Sequence, residues 1–143
     1  MIPQSMLWLR VKIIIDSVEN QIAKELQREH AIGLTEYRAL KVLSESENSE
    51  LRMQDLAKHL GLNQSSVTRL VERLERGGYT IRDICPKDKR GVYTVITGRG
   101  RDVQEKVGES FSQYLNDALD DVAIEEDNKI VVNCLRNITM AEA

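Results

Sequence analysis

The sequence predicts a mainly α-helical chain with one small antiparallel β-ribbon, forming a single domain over residues 1–143. Apolar residues recur at spacings of three and four along most of the chain, the period of amphipathic helices. The exceptions are Tyr79–Ile84 and Val92–Thr97, which alternate with a period of two, as strands do, around a charged tip. A length of 143 residues, 41% hydrophobic and 30% charged, suits one folded core and is too short for two.

The elements follow in order. Leu7, Val11, Ile14/Ile15, Val18, Ile22 and Leu26 mark a long amphipathic helix, with a break expected at Gly33. It is longer than a small core needs, so part of its stripe is free to face a second chain. Thr35 reads as the N-cap of a second helix, lined by Tyr37, Leu40 and Leu43. The polar run Ser44–Glu50 reads as a loop. Two short helices follow, the first on Leu56, Ala57 and Leu60, the second on Val67, Leu70, Val71 and Leu74. Gly61-Leu62-Asn63 turns between them, with Asn63 as the second helix's N-cap. Gly77-Gly78 stops that helix, and the ribbon follows, its tip spanning Cys85–Gly91. After Thr97-Gly-Arg-Gly100 a long helix resumes on Val103, Val107, Phe111, Tyr114/Leu115 and Leu119. Acidic residues at 120–127 interrupt it before a last helix on Ile130/Val131, Cys134/Leu135 and Ile138.

Several function classes drop out early. No apolar run approaches the roughly 18 residues of a membrane span, and Ile13-Ile14-Ile15 is flanked by Lys12 and Asp16. The first residues lack the basic-then-apolar design of a signal peptide, so no membrane partner and a cytoplasmic home are expected. Cys85 and Cys134 are too few and too far apart for a disulfide framework, and with His30 and His59 they show no zinc-finger spacing. No metal and no cofactor are expected. Asp55 and His59 stand at i, i+4, but no nucleophile or oxyanion motif accompanies them, so a surface ion pair is expected rather than an enzyme.

The overall charge of −3 hides a strong asymmetry. Residues 1–51 carry −2, residues 52–101 carry +6 and residues 102–143 carry −7. A basic centre between acidic ends points to a localised face for a polyanion. The same stretch carries the motif that gives this face a use. Ala57 is small enough for two helices to approach, Gly61 suits the positive φ of a tight turn, and Val67 seals the second helix on the first. That is the spacing of a helix-turn-helix. With Val67, Leu70, Val71 and Leu74 fixed as the inner face, the outer face presents Gln64, Ser65, Ser66, Thr68, Arg69, Glu72 and Arg73. These short or forked hydrogen-bonding groups near a helix N-terminus suit base edges and phosphates. The charged ribbon directly after it acts as a wing, with Arg90 aimed at a minor groove and Lys87 and Lys89 at phosphates. Asp88 is suited to cap the turn or hold Arg90.

Taken together, the motifs resemble those of the MarR-type winged helix-turn-helix regulators. The resemblance rests on Gly33-Leu-Thr35 before Leu40-Lys-Val-Leu43, Asp55-Leu-Ala57, Leu60-Gly-Leu62, Ser66-Val-Thr-Arg-Leu-Val71 and Leu74-Glu-Arg-Gly-Gly-Tyr79. Pro86-Lys-Asp-Lys-Arg90, Val95-Ile-Thr97 and Gly100 complete it. It implies a lobe at 33–100 that binds double-stranded DNA, and dimerisation helices at 1–32 and 101–143 that pair two copies. It implies a near-palindromic operator, a repressor role and control by a small aromatic or phenolic effector, with Trp8, Arg10, Lys12, Tyr37 and Arg38 available to line its cleft. Trp8 and Tyr37 alternatively fill the core. Matched by position, Gln64, Ser65, Ser66, Thr68 and Arg69 enter the major groove, Arg73 and Lys89 meet phosphates, and Asp88 with Arg90 forms the wing tip. Two residues depart from the family pattern: Lys89 where an arginine is common, and Arg52 where a serine or threonine usually caps the next helix. Alternative readings are a winged-helix module that binds an acidic protein, and a redox-responsive regulator acting through Cys85. Cys134, on an apolar stripe, reads as a core or interface residue.

Overall fold

The chain's computed structural model describes residues 2–84 and 92–138, with only the backbone of Ile84. Its helices are α1 (Gln4–His30), α2 (Leu34–Glu45), α3 (Met53–Leu60), α4 (Gln64–Arg76), α5 (Gly98–Val122) and α6 (Glu126–Asn137). Its strands are β1 (Glu50–Arg52), β2 (Thr80–Ile84) and β3 (Val92–Ile96), joined in one antiparallel sheet of order β1-β3-β2. The mainly α architecture with a small β-wing is the one read from the sequence. β1 was not: a three-residue strand is too short to show a period. It pairs Arg52 opposite Tyr93 and Glu50 opposite Val95.

Element boundaries differ from expectation where capping chemistry decides them. α1 ends not at Gly33 but two residues earlier, where Ala31 adopts a left-handed φ of 54° and donates its N–H to Gln27 O at 3.2 Å. Gly33, not Thr35, is the N-cap of α2. α5 starts before its apolar stripe does, because Thr97 caps it: the Thr97 hydroxyl accepts from Gly100 N at 3.1 Å and donates to Gly78 O at 2.7 Å. That pair of bonds fastens the start of α5 to the end of α4.

One core runs through the chain. Leu26, Leu40, Leu43, Leu56, Val67, Leu70, Val71, Leu74 and Val107 are fully enclosed. Burying each such side chain contributes about 1.5–3 kcal/mol. The lobe from α2 to β3 therefore has its inner face filled. The terminal helices do not. In α1 the stripe is buried at Ile14, Val18, Ile22 and Leu26, whereas Leu7 and Ile15 are each 46% exposed and Trp8 is 76% exposed. In α6 the enclosed residues are Asn128 and Val132, and the expected stripe of Ile130, Leu135 and Ile138 faces outward.

Candidate nucleic-acid interface

α3 and α4 make the helix-turn-helix through a short turn closed by backbone hydrogen bonds. Gly61 takes φ 67°, and Leu62 N donates to Ala57 O at 2.9 Å while Gly61 N donates to Lys58 O at 3.3 Å. This closure satisfies the last carbonyls of α3 and needs a residue without a Cβ penalty at the left-handed position. Asn63 then caps α4 as expected, its side-chain oxygen accepting from Ser66 N at 2.8 Å.

The helix so placed has two unlike faces. Val67, Leu70, Val71 and Leu74 are buried against α2 and α3, and Gln64, Ser65, Arg69, Glu72 and Arg73 are exposed. Ser66 and Thr68 are half-buried. Local bonds limit what the short side chains can still do. Ser65 donates its hydroxyl to Asn63 Oδ1 at 2.9 Å, and Thr68 donates to Gln64 O at 2.8 Å, so both present mainly acceptor lone pairs outward. Arg69 has no hydrogen-bond or ion-pair partner among the described residues and keeps all five donors. Arg73 is paired, its Nε 3.4 Å from Glu36 Oε1 on α2. The last turn of α4 also carries Arg76, a basic residue on the Arg69–Arg73 side that sequence reasoning passed over; the i, i+4, i+7 spacing is its signal.

Arg52 explains its own departure from the family pattern. It precedes α3 without capping it, because it is a strand residue first: its Nε donates to Tyr93 Oη at 3.2 Å and its guanidinium lies 5.4 Å over the Tyr93 ring. Arg52, Met53, Gln54, Gln64 and Val92 line a shallow crevice of about 220 Å³ where the start of α4 meets the wing. Lys87, Asp88, Lys89, Arg90 and Cys85 lie outside the described residues.

The five residues expected to share an effector cleft are dispersed. Trp8 and Lys12 line a groove on α1 with Val11 and Ile15. Arg10 lines a separate crevice beside Gln21, Asp121 and Glu125 and lies 4.0 Å from Asp127. Tyr37 is enclosed and stacked on Phe111 at 5.1 Å between ring centres, which is its core role. Arg38 is paired with Glu19 at 2.7 Å. Among the described residues, Asp55 and His59 form no ion pair, and no group of three His, Cys, Asp or Glu side chains could hold a metal. Cys134 is exposed on α6, not in the core. At the other end of α1, Tyr114 of α5 donates its hydroxyl to Glu29, and His30 Nε2 lies 3.3 Å from the same oxygen. The Tyr114 bond holds the Glu29 carboxyl below its ordinary range, and burial pushes the Tyr114 hydroxyl up from its own.

A capped, basic, outward-facing second helix beside a β-wing defines a winged helix-turn-helix DNA-binding protein. Known proteins agree. The model of the MarR family matches residues 32–92. An uncharacterized HTH-type transcriptional regulator of Bacillus subtilis, YkoM, is 28% identical over 105 residues, 73% of this chain and 67% of that one. The HTH-type transcriptional regulator FarR of Neisseria gonorrhoeae is 29% identical over 107 residues, 75% and 71% of the two chains. Sco3205, a MarR family regulator from Streptomyces coelicolor whose structure was solved in complex with DNA, superposes with TM-score 0.76. It is 28% identical, and the match covers 93% of this chain and 83% of that one. The chain is thus similar to MarR-family transcriptional regulators, in sequence over the helix-turn-helix lobe and in fold over most of its length. No helix among the described residues is long and apolar enough to cross a membrane.

Proposed function

We propose that this regulator binds a near-palindromic DNA operator as a homodimer and represses transcription until a small molecule releases it. The observation that carries the reading is α4: one face closed by the core, the other exposed with Arg69, Arg73 and Arg76 on it, and its N-terminus capped by Asn63. In this reading Gln64, Ser65, Ser66, Thr68 and Arg69 face base edges in the major groove, and Arg73 meets a phosphate. Lys87 and Lys89 meet phosphates on the flank, and Arg90, steadied by Asp88, enters the minor groove. The dimer is supported by the apolar residues that α1 and α6 leave outside, among them Trp8, Ile13, Ile130 and Leu135. Residues 1–32 and 101–143 would pair the protomers, and residues 33–100 would form each DNA-binding lobe.

Two recognition helices fill successive major grooves only if they sit about one helical turn, roughly 34 Å, apart. A ligand that alters the packing of the terminal helices changes that spacing and so weakens binding. The groove on α1 lined by Trp8, Val11, Lys12 and Ile15 offers apolar walls and one ammonium, which suits a small aromatic or phenolic anion.

Selection of bound duplexes from a random pool at near-physiological salt tests the reading. The expected product is a two-fold symmetric motif with half-sites about one turn apart. Salt-sensitive binding without any motif would reduce the basic face to a general polyanion surface. Titration of hydroxybenzoates into the protein–operator complex then tests the effector: release at concentrations that leave a Trp8→Ala variant bound is the expected result.

A further inference from the structure

We propose that Glu36 is a positioning residue for DNA binding: it holds Arg73 by its Nε so that the Nη groups meet a backbone phosphate already oriented. The inference rests on the DNA-binding reading of α4 and adds a residue from a different helix to it.

Three placements carry it. Glu36 stands in the first turn of α2, three residues after the Gly33 cap, where the positive end of the helix favours a carboxylate. Its carboxylate folds back over Gly33: a Cβ built on Gly33 would come within 3.3 Å of Glu36 Oε1. Gly33 thus leaves the space that the folded-back carboxylate occupies. From there Glu36 Oε1 reaches Arg73 Nε at 3.4 Å, across 37 positions of sequence. The contact is long for a hydrogen bond, so much of the attraction is ionic. Its two ends differ in exposure, with the Glu36 side chain 21% and the Arg73 side chain 45% accessible. The carboxylate is the fixed partner and the guanidinium the outward one. Only Nε of Arg73 is engaged among the described residues, which leaves the two Nη groups, the pair that grips a phosphate fork-on.

Simple charge counting predicts the opposite effect. A carboxylate beside a polyanion repels it, so removing Glu36 should tighten binding if charge alone mattered. A positioning residue instead spares the arginine the rotamer freedom it would lose on binding, an effect of about three- to thirtyfold in affinity.

The test compares full-length wild type, Glu36→Ala, Glu36→Gln, Arg73→Ala and Glu36→Ala/Arg73→Ala. Each is titrated with the selected operator and with a random duplex between 50 and 200 mM salt. The expected result is that Glu36→Ala weakens binding to both duplexes about three- to thirtyfold, and that Glu36→Gln, which keeps an acceptor oxygen but not the charge, recovers only part of the loss. Arg73→Ala should lower the salt slope by about one, and the double variant should bind no worse than Arg73→Ala alone. Equal or tighter binding by Glu36→Ala overturns the proposal and makes Glu36 a bystander or a competitor. Additive losses in the double variant also overturn it, because Glu36 would then act by another route. Should Glu36→Ala melt before it can be titrated, Arg73→Lys takes its place. Lysine has no Nε branch to share, so Glu36→Gln in that background should change nothing, and a change there overturns the proposal. Wild type that binds no duplex at all overturns the DNA-binding reading itself, before any variant is measured.

Discussion

The DNA-binding lobe and the terminal helices are built from the same amphipathic pattern, yet they end in different states. In α4 every apolar residue of the stripe is enclosed, and what remains outside is polar or charged. In α1 and α6 the same spacing leaves Trp8 76%, Ile130 75% and Leu135 48% exposed. A helical period reports that a face exists; it does not report what covers it. In the lobe, α4 is covered from within its own chain, by α2, α3 and β2. The terminal helices are covered by their own chain along Ile14, Val18, Ile22, Leu26, Val107, Tyr114, Ala118, Val122 and Val132. The residues left over, among them Trp8, Ile13, Ile130 and Leu135, are apolar and exposed, and in the reading proposed above a second copy covers them.

The sharpest way to break this contrast is to put a charge on each kind of face. A Trp8→Glu or Ile130→Glu substitution meets open space in the single chain but would bury an unpaired carboxylate in a dimer. The cost there is about 3–5 kcal/mol, enough to shift sedimentation from dimer to monomer and to abolish tight operator binding. Persistence of the dimer in both variants would show that these residues lie outside its interface. Next in size is Arg69→Ala, which should leave the dimer intact and weaken operator binding by about 1–3 kcal/mol while relaxing its sequence preference. Equal losses on all duplexes would make Arg69 a phosphate contact. Asn63→Ala sits lower still: it removes the cap of α4 and should lower stability by about 1 kcal/mol, read as a fall in Tm.

The lobe was the legible part, because its sequence signals are local. Ala57, Gly61, Asn63 and Val67 each serve a neighbour within ten residues, and each does in the structure what its type and spacing imply. Signals that depend on distant partners were lost. β1 exists only because Leu51 and Arg52 pair with Thr94 and Tyr93, more than forty positions away. Glu36 reads as an ordinary first-turn acid until α4 brings Arg73 to it. The end of α1 was misread for a different reason: alanine is an uncommon left-handed cap, so Gly33 drew the boundary two residues too late. The dispersed effector residues show the limit of reading positions without a fold. Tyr37 and Arg38 are adjacent in sequence, yet one stacks on Phe111 in the core and the other pairs with Glu19 at the surface.

The smallest effect concerns the contact between α1 and α5 within the terminal helices, and its sign is fixed by Tyr114. The hydroxyl of Tyr114 on α5 donates to Glu29 near the end of α1, with Arg28 2.9 Å from the same carboxylate and His30 against the hydroxyl. That hydrogen bond favours the ionised carboxylate and holds Glu29 below its ordinary range. A carboxyl group depressed in the native state stabilises it above the ordinary carboxylate pKa and loses that contribution as pH falls through the native value. The Tyr114 hydroxyl behaves conversely. Burial first, then the Glu29 bond, raises it above its ordinary value near 10. Its contribution is therefore present at neutral pH and is lost as pH rises through that raised value. Tyr114→Phe keeps the ring against His30, removes the alkaline dependence and weakens the acid one, where Arg28 still holds Glu29. Chemical unfolding of the variant should show a shallower fall in stability below about pH 4.5 and above about pH 10, with DNA affinity at neutral pH nearly unchanged. A variant whose stability parallels wild type on the acid limb would show that Tyr114 does not hold Glu29 and that the charges of Arg28 and His30 do.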